Sequence, residues 1–214
     1  MDDISRNWPT DLAGLRSLMP SEPGRINLNA GTLSPTPRPV FEHATRLREK
    51  LSCNGTQWFW RTSPGLIEQS RDDLAGFIEG DRDRLLLLPN VTVAMNLATI
   101  SVPLATGDEV LTTDQCYGAM RLAMERRCRQ VGATLKSIDL PLTPSNVGEI
   151  RDAVLGGIGP KTKAVLLDHV TSSTGLVLPV AQICAACRDR DIWTVIDGAH
   201  GPGMVATSMR DIGA

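Results

Sequence analysis

Four short stretches hold most of the residues able to do chemistry, and each follows an apolar run. They are Pro89-Asn90-Val91-Thr92, Asp114-Gln115-Cys116-Tyr117-Gly118, His169-Val170-Thr171-Ser172-Ser173-Thr174-Gly175 and Asp197-Gly198-Ala199-His200-Gly201-Pro202-Gly203. Asn90 to Thr92 lead straight into a helical pattern, so the free amides of a first helical turn and the Thr92 hydroxyl can hold a phosphate. The same residues also suit an ordinary helix cap. Asp197 closes the apolar Trp193, Val195, Ile196 run, and glycines follow it. A carboxylate fixed there can keep a heterocyclic nitrogen protonated, or it can cap the next turn. His200 can donate to a ring hydroxyl or sit satisfied in a turn. Tyr117, the only tyrosine, can cover a planar ring or act as a packing aromatic.

The hydroxyl residues between His169 and Gly175 suit contacts to a ring oxygen, although alone they also describe a loop. Neither GxGxxG nor GxxxxGK[ST] occurs, so the fingerprints of dinucleotide and nucleoside-triphosphate sites are missing. Taken together, the four stretches place a phosphate cradle, a ring cover, hydroxyl donors and a carboxylate for a ring nitrogen on successive strand ends. That conjunction points to a pyridoxal 5'-phosphate (PLP) site.

The elements that must carry these stretches alternate from residue 81 onward. Periodicity predicts strands at 84–88, 109–113, 134–140, 162–168 and 193–197, with helices at 92–104, 118–131, 146–155 and 180–190. Continuous apolar strands between helices specify an α/β fold with a mostly parallel sheet and helices on both faces. Ligands of such sheets gather at the carboxyl ends of the strands. Residues 1–80 read differently, as an N-terminal arm and helices. Asn27 to Pro39 are rich in Pro, Gly and Asn, and helical spacing over Val40 to Leu51 precedes a Ser63-Pro64 helix start.

Composition narrows the function classes. With 42% hydrophobic and 21% charged residues and a net charge of -2, the 214-residue chain has no basic excess for nucleic acid. Acidic residues stand where a secretory signal would be basic, so a cytoplasmic protein is expected. No apolar stretch approaches the roughly 20 residues of a membrane span. Five cysteines at irregular spacing argue against a disulfide framework. Cys184 and Cys187 spell CxxC, but they fall inside a helical pattern and have no companion pair or flanking histidine, so they read as packing residues rather than redox or metal ligands.

At these residues the sequence resembles the class V aminotransferases, and within them the isopenicillin N epimerase-like branch. The matching segments are INLNAGTLSPTP, FWRTSPGLIEQSRDDLAGFI, LLLLPNVTVAMNLA, TTDQCYGAM, VLLDHVTSSTGLVLPV and TVIDGAHGPG, in family order from about residue 26 onward. The resemblance implies a fold type I PLP enzyme acting on a small amino-acid substrate as a homodimer. Residues 81–214 would then be an incomplete PLP-binding large domain. Carried over residue by residue, Val91 and Thr92 correspond to phosphate contacts, Tyr117 to the ring-stacking residue and Ser172 to the ring-oxygen contact. Asp197 corresponds to the pyridinium partner and His200 to the ring-hydroxyl contact. Tyrosine rather than histidine at position 117 leans towards the epimerase-like branch over the cysteine desulfurases of the same class. Cysteine desulfurase or C–S lyase chemistry, aminotransferase chemistry, and a non-catalytic remnant or interaction module are the competing readings.

One departure from the pattern stands out. The family's Schiff-base lysine follows the Asp-x-x-His segment by a few tens of residues, whereas Lys50, Lys136, Lys161 and Lys163 all precede Asp197. The catalytic lysine therefore has no counterpart among these residues, and the chain is expected to be a C-terminally truncated form.

Overall fold

The structure is a computed structural model that describes residues 8–22 and 24–214. These fall into two compact units, one up to Ser70 and one from Arg71 to Ala214. In the first, α1 (Leu12–Leu18) is capped by the Asp11 side chain, which accepts the Gly14 amide at 2.8 Å. α2 (Arg38–Cys53) begins behind Pro37 with a second proline in its first turn, where a missing amide costs nothing. The short α3 (Gly55–Gln57) runs through a π-helical turn at Trp58–Thr62 into α4 (Ser63–Phe77).

The second unit is organised by a sheet. α5 (Val91–Ser101) precedes β1 (Glu109–Thr113); then follow α6 (Gly118–Val131), β2 (Thr134–Ile138), α7 (Val147–Gly157), β3 (Thr162–Asp168), α8 (Val180–Arg188), β4 (Trp193–Asp197) and α9 (Met209–Ile212). The strands lie in the order β2-β1-β3-β4 and all pairings are parallel, each crossover being a helix. The unit reaches back to Arg71 because the Met209 and Arg210 amides donate to the Ile78 and Glu79 carbonyls.

Alternation along β1 and β3 sends successive side chains into two cores. Val110, Ala164 and Leu166 meet Met95 of α5 and Met120, Met124 and Cys128 of α6 on one face. Leu111, Val165 and Leu167 meet Ile150 and Val154 of α7, Ile183, Cys184 and Cys187 of α8 and Ile212 of α9 on the other. The mostly parallel α/β sheet with helices on both faces is thus the architecture found. Cys184 and Cys187 are core residues, and burial pushes the Cys187 thiol up to about 11. No helix among the described residues is long and apolar enough to cross a membrane.

The expected first strand does not form. Arg82–Arg84 make a 3-10 turn, and the following leucines stay outside the sheet, with Leu86 75% exposed. A β-prone run becomes a strand only where a neighbour completes its hydrogen-bond ladder. Among the described residues no strand lies beside this one. The strand predicted at 134–140 is also shorter: β2 stops at Ile138, and the Leu140 amide turns to the Asp114 carboxylate, at 3.0 Å.

Candidate functional site

Because all four strands are parallel, the segments that follow them emerge at one edge. The β1–α6 turn carries Tyr117, whose backbone caps α6 while its ring stays half exposed. Its amide donates to both carboxylate oxygens of Asp168, at 3.1 and 3.4 Å. Asp168 ends β3 as Asp197 ends β4, and the two residues are register partners on adjacent strands. They are 3% and 4% exposed, on the face covered by α5 and α6. Burial first, and the Asp197 charge second, push the Asp168 carboxyl up to about 7, against the smaller opposing effect of the Tyr117 amide.

Asp197 is held by the loop it begins: Ala199 donates its amide to Oδ1 at 3.0 Å. Among the described residues Oδ2 receives no hydrogen bond. A buried, acceptor-only carboxylate with one free oxygen suits the N–H of a cationic heterocycle. Three residues further on, His200 is half-buried and its ring makes no hydrogen bond among the described residues. Cys116 lies beneath the two acids. Its thiol is raised to about 11, mainly by burial, with Asp168 and Asp197 adding to the effect and the Thr112 hydrogen bond opposing it. It is not a nucleophile at neutral pH.

The loop after β3 is fastened by its own hydroxyls. Thr171 and Thr174 are joined at 2.7 Å, and Ser173 and Thr174 donate to Gln115 Oε1 at 3.0 and 3.2 Å, tying this loop to the one after β1. Gly175, at φ +68°, closes the turn back onto the Thr171 carbonyl. Ser172 alone of these hydroxyl residues makes no hydrogen bond among the described residues, and it is exposed.

Val91 and Thr92 open α5, with Asn90 accepting the Val93 amide as the cap at 3.0 Å. The ends of α5 and α6 meet at the amino edge of the sheet, where Arg127 donates to the Val102 carbonyl and Thr106 to that of Val131. Both helix starts therefore face the carboxyl edge. The Val91 and Thr92 amides make no hydrogen bond among the described residues, which is the donor pattern an anion requires. The Thr92 side chain lies in a groove of about 410 Å³ between α5 and α6 with Asn96, Ala123 and Arg126. A second cavity of about 490 Å³, on the opposite face, is lined by His169, Gln182, Thr207 and Asp211. Asp197 lines neither; the structure joins Tyr117, Asp168 and Asp197 closely, and Val91, Thr92, Ser172 and His200 lie on the same edge of the sheet.

Two residues of this edge were given no role by the sequence. Asp168 has the signal that marks Asp197, an aspartate closing an apolar strand before a turn, in VLLDH as in TVIDG. His169 is 7% exposed, its Nδ1 has no hydrogen-bond partner among the described residues, and burial lowers its pKa. The loop after β4 rests on its ring, since a Cβ on the buried Gly201 would stand 2.7 Å from Nδ1.

Residues 26–214 match the family model described as Aminotransferase class-V, and the chain belongs to that family. It is similar to isopenicillin N epimerase of Streptomyces clavuligerus, 41% identical over 89% of this chain and 48% of that protein. The isopenicillin N epimerase of Amycolatopsis lactamdurans is 39% identical over 91% of this chain and 49% of that protein. A putative L-cysteine desulfhydrase of Oryza sativa is 28% identical over 90% of this chain and 43% of that one. The chain thus spans about half the length of these relatives. Among solved structures, a C-DES variant with glycine covalently linked to its PLP cofactor superimposes with a TM-score of 0.77 at 23% identity, covering 92% of this chain and 52% of that one. The cysteine desulfurase CsdA of Escherichia coli gives 0.76 at 17% identity, over 94% and 52%. Those two likenesses carry the fold alone.

Proposed function

We propose that this chain is the cofactor-cradling part of a PLP-dependent enzyme that acts on an amino-acid substrate, with epimerisation as its activity. The observation that carries the reading is Asp197, a buried carboxylate at a parallel strand end with one oxygen fixed by Ala199 and the other free to accept. When bound, PLP supplies an electron sink for the substrate's α-carbon.

The residues of this chain would bind and orient it. The free amides of Val91 and Thr92 and the Thr92 hydroxyl take the phosphate, and the exposed Tyr117 ring covers one face of the pyridine. Ser172 and His200 address the ring oxygen. Asp197 keeps the proton on the ring nitrogen. Cytoplasmic residence and a homodimer belong to the same proposal. Identities near 40% to two isopenicillin N epimerases favour epimerisation over the sulfur chemistry of more distant relatives.

The test is to incubate the full-length protein with PLP and candidate amino acids, including cysteine and peptides with a terminal amino acid, in deuterium oxide. Exchange of the α-proton with the side chain retained supports the reading. Release of sulfide without exchange into recovered substrate would assign the lyase chemistry instead, and absence of PLP binding would overturn both.

A further inference from the structure

We propose that Asp168 is a positioning residue for Asp197, the two carboxyls carrying a single negative charge between them, with the proton on Asp168 so that Asp197 stays ionised toward the ring nitrogen. The inference rests on the PLP reading for the role of Asp197, but its physical basis is independent of it.

The basis is geometric. Asp168 and Asp197 are register partners on neighbouring parallel strands, so their backbones lie about 4.8 Å apart, and alternation puts both side chains on one face. Both are nearly fully buried, and among the described residues neither is in an ion pair. Two carboxylates this close, out of water and without a cation, do not both ionise at neutral pH.

The surroundings decide which one holds the proton. β3 is interior to the sheet, and Asp168 is followed by His169, Val170 and Thr171, all buried. Among the described residues β4 is paired on one side only, and Asp197 is followed by the half-buried Gly198 and the exposed Ala199. Asp197 Oδ2 is the one oxygen of the pair that receives no amide among the described residues, so it is the one open to the ring N–H of the proposed cofactor, and Asp197 keeps the charge. The direction of the Asp168 shift agrees with this.

Among the described residues no other group facing Asp168 takes over the charge balance. β4 brings Asp197, and the β1–α6 turn brings both the protonated Cys116 thiol and the Tyr117 amide. Arg121, one turn further along α6, is paired with Glu125 at 2.9 Å. α5 offers Met95 and Thr99 as its buried side chains. Asp114 is engaged by the Leu140 amide and Gln115, and His169 points into the opposite core.

Two measurements test the proposal. In the cofactor-free protein, carboxyl-labelled aspartate followed by carbon NMR should show one buried carboxyl titrating between about pH 6 and 8, absent in Asp168→Asn. In Asp197→Asn it should move down by about one pH unit or more, because the neighbouring charge is gone. No such carboxyl, or one indifferent to Asp197→Asn, would overturn the shared charge. In the protein saturated with PLP, the absorbance of the bound cofactor should show an inflection in the same window that disappears in Asp168→Asn. An inflection that persists in Asp168→Asn overturns the link to the ring nitrogen. If PLP does not bind to the wild-type protein, the functional reading fails, and the carboxyl titration separately decides the shared charge.

Discussion

Asp168 and Asp197 end adjacent parallel strands as register partners, both buried on one face, and among the described residues only backbone amides donate to their carboxylates. One strand pairing thereby joins a group that the sequence marks for ring chemistry to one that it does not. The pairing has an energetic consequence that can be measured without any ligand.

Stability should fall as pH rises through the range where Asp168 ionises. Its folded carboxyl, raised to about 7, holds a proton that the unfolded chain releases near pH 4, so the folded state binds more protons between those values. More protons bound in the folded state means stability lost on raising the pH, with the loss complete above the folded value. Asp168→Asn carries no such proton. Its unfolding free energy relative to wild type should therefore increase, the variant gaining relative stability from about pH 4 to 8, by roughly 2–4 kcal/mol. Denaturant unfolding at several pH values checks this, and parallel wild-type and variant curves would count against it.

Gly201→Ala should destabilise the loop after β4. The added Cβ would lie 2.7 Å from His169 Nδ1 and 3.3 Å from the Gly198 carbonyl, so either the imidazole or the loop must shift. Overpacking of this kind costs about 1–3 kcal/mol. Because the nearest atom belongs to a side chain, His169→Ala should relieve most of the cost, and the double-mutant cycle should show coupling of about 0.5 kcal/mol or more. Additive effects would show that the ring does not support the loop.

Much of this edge was readable from the chain because strand, turn and helix each have a local cause. β1, β3 and β4 begin and end where the apolar runs do, and α6 begins after Tyr117 and ends at Gly132, which adopts a left-handed φ of +75°. The run at Leu85 to Leu88 has the composition of a strand, yet strand formation depends on a neighbour that local pattern does not encode. Asp168 escaped for the converse reason. Its significance comes from lying opposite Asp197, 29 positions away in sequence, and pairing register is a tertiary property.

Asp197→Ala should lower turnover far more than it lowers PLP content. Its role in the proposed enzyme is electronic, and the anchoring falls to the amides at the start of α5 together with the Thr92 hydroxyl. Loss of one such preorganised interaction costs roughly 100-fold or more in rate. Cofactor content by absorbance and turnover on the same preparations separate the two effects. Unchanged turnover, or parallel loss of both, would remove Asp197 from the electronic role.

Residues 1–214 treated with PLP and borohydride should yield no single stoichiometric pyridoxyl-lysine. A lysine that holds the cofactor must reach the carboxyl edge of the sheet, and the lysines of the sheet-bearing unit are at the other end. Lys136 donates to the Gly157 carbonyl at 2.8 Å and lies 3.9 Å from Glu109, the first residue of β1. Lys161 precedes β3, and its carbonyl takes the Glu109 amide; Lys163 is the second residue of that strand and is exposed. From the start of a seven-residue strand to its end is about 20 Å at 3.3 Å per residue, beyond the reach of a lysine side chain. Lys50, in the other unit, sits in the last turn of α2, where a cation is favoured by the helix carbonyls. Adducts should therefore be substoichiometric and spread over several lysines, as peptide mapping by mass spectrometry would show. One lysine modified to completion, with the others untouched, would mean that a covalent cofactor site exists within these residues and that the carboxyl edge is not where it lies.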